Sequence, residues 1–327
     1  MASEASPGSR QPRGQPPKLV FLLQTASIGC AHTRPIEASL SPPQTSSPIF
    51  VSISPAMTGA KPVICCCLMP DPHCFVLSAA GCTIRLQANS QDSFDLLDRY
   101  IFPSVPRRHP ANETHDLHIR LEDEDGASRL FVDDVEVASA AHSHELLRKL
   151  IDCLDTALVP RLKGLHAVHA GAVLVNGRAL LFAGASHSGK SSLVHEFSRS
   201  GVVCFSDEYA LIDPEGRIHA YPRVLLVRNG GRDQFPVVHG SMAHEPAPVG
   251  WVFTLQYASG GSWSVDQVPQ SMALLSLLQN TPHELDKRSQ MVNAFQRAVN
   301  DAVCYAGQRG EVADAVDRIL KLIESDS

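Results

Sequence analysis

Residues 184–192 read Gly184-Ala185-Ser186-His187-Ser188-Gly189-Lys190-Ser191-Ser192, a GxxxxGKS pattern whose parts each have a task in holding phosphate. Gly184 and Gly189 let the backbone wrap closely around an anion. The N–H groups of the loop and of a following helix meet the phosphate oxygens, Lys190 adds a point charge, and Ser191 offers a hydroxyl to magnesium. Setting decides whether such a string means anything. Here the apolar run Ala179-Leu180-Leu181-Phe182-Ala183 reads as a strand before the loop, and Leu193, Val194 and Phe197 fall on one face of a helix after it. Strand, loop and helix in that order is the context in which this spacing binds a nucleotide.

Further chemistry is expected beside it. Gly201 stops the helix, and Val202-Val203-Cys204-Phe205 is a continuous apolar run of the kind that forms a buried parallel strand. Ser206-Asp207-Glu208 ends that run. Ligands of open α/β sheets sit outside the carboxyl ends of strands, so both acids should face the crevice of the loop. Asp207 then belongs to the magnesium shell, and Glu208 accepts the proton of an acceptor hydroxyl. Asn176-Gly177 signals a type I′ hairpin between Ala172–Val175 and Arg178–Ala183. Pairing Val175 with Arg178 sets Ala172 opposite Leu181 and His169 opposite Gly184, which puts His169 in the site. His166 reads as structural, and the His187 side chain points to solvent.

These residues need an α/β frame. Strand and helix signals alternate from residue 143 to residue 327, the mark of a layered α/β domain. Leu147, Leu150, Ile151, Leu154 and Leu158 predict an amphipathic helix over 143–159 leading into it, and Ala313, Val316, Ile319, Leu320 and Ile323 predict a C-terminal helix. Residues 61–142 read as a small α+β domain: an antiparallel sheet of short strands, such as the alternating Leu117, Ile119 and Leu121, with one helix near 92–101. Nothing in it suggests chemistry, so packing or partner binding is its expected role. Residues 1–60, rich in Ser, Pro, Gly and Ala with no sustained period, read as a disordered extension in which Met57, or Met69 just beyond, can serve as a start.

With His169, the loop and the acidic pair assembled, residues 166–228 resemble the catalytic domain of HPr kinase/phosphorylase. That family has a His-Gly start to a hairpin, a GxxxxGKS loop and an acidic pair. Trp251–Leu255 and the C-terminal helix continue the resemblance more weakly. It implies a P-loop kinase domain of the type shared with phosphoenolpyruvate carboxykinases, using ATP and Mg2+ to phosphorylate a serine hydroxyl of a protein or peptide. Lys190, Ser191 and His169 match residue for residue, and Glu208 stands where the family has an Asp proton acceptor. The family's second metal-binding Glu has no counterpart in Ala220–Arg228, so the chain looks closer to divergent HPr-kinase-related proteins, and Arg223 or Arg228 are candidates to clamp phosphate. A nucleotide-binding regulatory module without efficient transfer and a small-molecule kinase are the alternatives.

The formal net charge of −6 lacks the positive potential that nonspecific nucleic-acid binding draws on, so phosphate must be held locally. Nine irregularly placed cysteines point to reduced thiols rather than a disulfide framework. Cys65, Cys66, Cys67, His73 and Cys74 lack the CxxC geometry of a zinc site. No apolar stretch is long enough for a membrane span, and Leu19–Leu23 is too short for a signal peptide's core. An ATP-using enzyme belongs in the cytoplasm, and assembly into a homo-oligomer is left open.

Overall fold

Alternating apolar and polar residues write the first sheet. The computed structural model describes residues 73–109, 114–228, 234–237, 240–282 and 288–326; the extension expected over 1–60 lies outside them. Strands β1 (Cys74–Ala79), β2 (Cys82–Ala88), β3 (Leu117–Glu124), β4 (Ala127–Val132) and β5 (Val135–Ala140) lie side by side in that order. Ile84, Leu86, Leu117, Ile119 and Leu121 bury one face. The sheet is mixed where an antiparallel one was expected, because β2 and β3 run parallel. Helix α1 (Gln91–Tyr100) crosses between them, the long connection that parallel neighbours require. Helix α2 (Leu147–Leu158) forms where the leucine spacing places it, preceded by a 3-10 turn over Ser143–Leu146. Its Leu150, Leu154 and Leu158 pack into the core of this first sheet, together with Leu211 and Tyr221 from the later chain.

The larger sheet is built from β6 (His166–Val175), β7 (Arg178–Ala183), β8 (Cys204–Ser206), β9 (Tyr209–Ile212), β10 (Arg217–His219), β13 (Ala247–Tyr257), β14 (Ser264–Gln267) and β15 (Val303–Arg309). β11 (Leu225–Arg228) and β12 (Gln234–Val237) pair separately. The order is β10-β9-β6-β7-β13-β15-β14, with β8 also on β6. β13 runs parallel to both β7 and β15. Side chains alternate along β7. Ala179, Leu181 and Ala183 join the core under α4 (Gln270–Gln279) and α5 (Arg288–Asn300). Leu180 and Phe182 join the core under α3 (Lys190–Arg199) and α6 (Val312–Ser325). Helices on both faces of a sheet give the α/β class expected. A Cβ on Gly171 would stand 2.7 Å from Val194 Cγ2, so α3 lies hard against β6. No helix among the described residues is long and apolar enough to cross a membrane.

β8 corrects one expectation. It is antiparallel to its neighbour β6, not part of a parallel pair. The chain leaves β7, crosses over through α3 and returns in the direction of β7, but β6, which runs the other way, lies between the two. The carboxyl ends of β7 and β8 therefore still point to the same side, and that directs both the loop and the acids into one crevice.

Candidate active site

The loop departs from ordinary backbone at three points: Gly184 (φ 148°), His187 (φ 69°) and Gly189 (φ 89°). Gly189 suits its positive φ, and a Cβ there would displace the Arg309 guanidinium, whose Nη2 lies 1.9 Å from that position. Ser188 N–H donates to Ala185 O at 3.2 Å, and α3 takes its first turn with Leu193 N–H on Gly189 O. The first amides of a helix have no partner within it, which is what makes a helix start suited to an anion. Lys190 Nζ donates across the loop to Gly184 O at 2.7 Å and Ala185 O at 3.0 Å. Burial pushes its pKa down, against Glu208 and Asp207, which pull it up. Ser186, His187, Gly189, Lys190, Ser191 and Ser192 line a cleft of about 740 Å³ with His169, Asp207 and Glu208. Gly184, Ala185 and Ser188 of the loop do not line it.

β8 and β9 follow one edge of β6, pairing Ser206 with Ala172 and Tyr209 with His169, so Asp207 and Glu208 lie across from Gly171 and Ala170. The opposite edge of β6 meets β7 at Ala183. Ser206 Oγ accepts from the N–H groups of Glu208 and Tyr209, both at 3.1 Å, and fixes the turn that carries the acids.

Asp207 is buried. Its Oδ1 lies 3.4 Å from Arg223 Nη2, and its Oδ2 has no hydrogen-bond partner. Burial pushes its pKa up; Arg223 and the Ser191 hydroxyl work against that without overcoming it. Glu208 is half-buried, with Oε1 3.2 Å from His169 Nδ1 and Oε2 3.3 Å from Arg223 Nη2. Burial pushes its pKa up as well, yet His169, Arg223 and Lys190 outweigh it, so Glu208 stays below the usual range and is ionised at neutral pH.

The expected register carries His169 to one step past the last pair of the ladder, on the line that leads to Gly184. The β6–β7 ladder keeps the register set by Asn176-Gly177, from Val175–Arg178 through Ala172–Leu181, and stops at Ala170–Ala183. On the other edge of β6, His169 pairs with Tyr209 on β9, and its N–H donates to Asn280 O at 2.8 Å. Its ring lies 4.4 Å from that of Tyr209 and beside Glu208, which puts the histidine on the acid side of the loop.

Arg223 is neither a surface arginine nor free to clamp phosphate. Its guanidinium is 1% exposed and committed to three carboxylates: Asp207, Glu208 and, at 3.5 Å, Asp155 of α2. Asp155 also accepts from Tyr221 Oη at 2.7 Å, and burial raises its pKa to about 6 against the pull of Arg223. The sequence holds no motif for this cluster. Charge balance was the available signal, since two adjacent acids at a buried strand end require a cation. The Arg228 side chain lies outside the described residues. Arg309 and Tyr257, on the far wall of the cleft, were also missed.

Among the described residues no group of three or more His, Cys, Asp or Glu side chains is arranged to hold a metal ion. No family model matches this sequence, and no curated protein matches it.

Proposed function

We propose that this chain is a cytoplasmic, ATP-dependent, HPr-kinase-like serine kinase on a P-loop kinase fold, transferring the terminal phosphate to a serine hydroxyl of a protein or peptide. One observation carries the reading. A single cleft joins the loop amides and Lys190, a buried carboxylate oxygen without a partner beside Ser191, and an ionised Glu208 hydrogen-bonded by His169.

The loop and the first turn of α3 hold the phosphate oxygens, and Lys190 offsets their charge. Magnesium needs only one or two protein oxygens besides phosphate and water, so Ser191 Oγ and Asp207 Oδ2 fit it. When bound, it neutralises charge developing between the terminal phosphates. Glu208 takes the proton of the serine hydroxyl as its oxygen bonds to phosphorus and the bond to the departing ADP oxygen breaks. His169 orients that carboxylate through Nδ1.

Single-turnover transfer to candidate serine acceptors at saturating Mg·ATP, read by mass spectrometry, tests this. Glu208→Gln keeps the side chain's shape but cannot accept the proton. It should bind ATP normally and transfer ~10²- to 10⁴-fold more slowly. Transfer at the wild-type rate removes Glu208 from the chemistry.

A further inference from the structure

The acids and the loop occupy only part of the cleft. Across the sheet the order is β9-β6-β7-β13-β15, so the acids lie beyond β6 on one side of the loop strand, and β13 and β15 lie on the other. The carboxyl ends of β13 and β15 carry Tyr257 and Arg309, and both line the cleft with Glu311 and Val312 at the start of α6. Tyr257 is 44% exposed, one of few large apolar side chains left open among the described residues. Its ring is nonetheless held. Tyr257 Oη donates to Glu311 Oε1 at 3.2 Å, and the Arg309 guanidinium sits 5.0 Å from the ring centre. Arg309 is itself buried and anchored to the loop, donating from Nη2 to Gly189 O at 3.2 Å and from Nη1 to Gly310 O at 2.9 Å. An exposed aromatic ring held on the cleft wall and joined through one arginine to the Gly189 loop is suited to stacking.

Resting on the nucleotide reading above, we infer that Tyr257 is the nucleobase subsite: the base stacks on its ring while the triphosphate runs along the loop toward Glu208. Polarity follows from the chemistry. The phosphorus that reacts must lie at the acids, so the nucleoside must leave over the opposite end of the loop, where Tyr257 stands. Stacking is indifferent to base identity, because every base has a π face, so the platform recognises a nucleoside as a class.

Calorimetry with Mg·ATP and with inorganic tripolyphosphate separates this subsite from the phosphate site. Wild-type protein should bind Mg·ATP more tightly than tripolyphosphate. Tyr257→Ala should weaken Mg·ATP roughly 5- to 150-fold and leave tripolyphosphate unchanged, and Tyr257→Phe should restore most of the difference. Equal Mg·ATP affinity in Tyr257→Ala and wild type overturns the subsite while leaving the phosphate loop standing. If wild-type protein binds neither ligand, the nucleotide reading falls and the subsite falls with it. Tripolyphosphate affinity also reports whether a variant has folded. Should Tyr257→Ala not fold, NMR on the wild-type protein decides: nuclear Overhauser contacts between adenine and tyrosine ring protons support stacking, and their absence overturns it.

Discussion

Arg223 sets one positive charge against Asp155, Asp207 and Glu208, so the cluster cannot hold every acid ionised at equal cost. Glu208, partly open to the cleft and touched by His169, keeps its charge below the ordinary range, while Asp155, buried on α2, is raised to about 6. An exposed Asp titrates near 3.8, so the folded protein binds this proton more tightly than the unfolded chain does. The resulting stability is full below that unfolded value and is lost as pH rises through about 6. Asp155→Asn removes the titration. The stability of wild type relative to the variant should therefore be greater by about 2 kcal/mol at about pH 4.5 than at about pH 7.5, measured by urea denaturation. A difference independent of pH would mean that Asp155 ionises normally. At this scale the sequence displayed the loop residues that line the cleft but not those that meet each other behind it. Lys190 and Ser191 belong to a contiguous pattern, whereas Asp155, Tyr221 and Arg223 come together only through folding.

Among the elements, the hairpin was legible because its turn chemistry is local. Asn176 (φ 49°) and Gly177 (φ 74°) take the left-handed conformations that a type I′ turn demands, and every ladder pair follows from them. The direction of β8 was not legible, because apolar runs show burial without showing which strand lies alongside. What places the loop's helix is Gly171, where β6 leaves no room beneath Val194. Gly171→Val should push α3 outward, lowering stability by about 1–3 kcal/mol and weakening Mg·ATP binding along with it. Urea denaturation paired with calorimetry checks both effects. Wild-type nucleotide affinity in a destabilised variant would show that the loop does not depend on how closely α3 packs.

Over the whole molecule, the sheet at 74–140 and the larger sheet share a core. Leu211 and Tyr221 from the later chain pack with Leu150 and Leu154 of α2 against the first sheet, and Asp155 of that helix reaches Arg223 under the acids. A partition into 61–142 and 143–327 follows the change in sequence pattern, but long-range contacts of this kind leave no periodic trace. Heating should give a single transition: far-UV circular dichroism, which reports both sheets, should coincide with fluorescence of Trp251, in β13, and Trp263, packed against the core of the larger sheet. A separate dichroic transition without a fluorescence change would show the first sheet melting alone. The sheet order also bears on synthesis. β6 and β7 pair as soon as both have emerged, but β7 finds its second neighbour only in β13, at residues 247–257. At ~5–20 residues per second, the strand that ends at the Gly184 loop waits on the order of 4–15 s with one edge open to other chains. Nascent protein is then exposed to aggregation at the strand that leads into the Gly184–Ser191 loop.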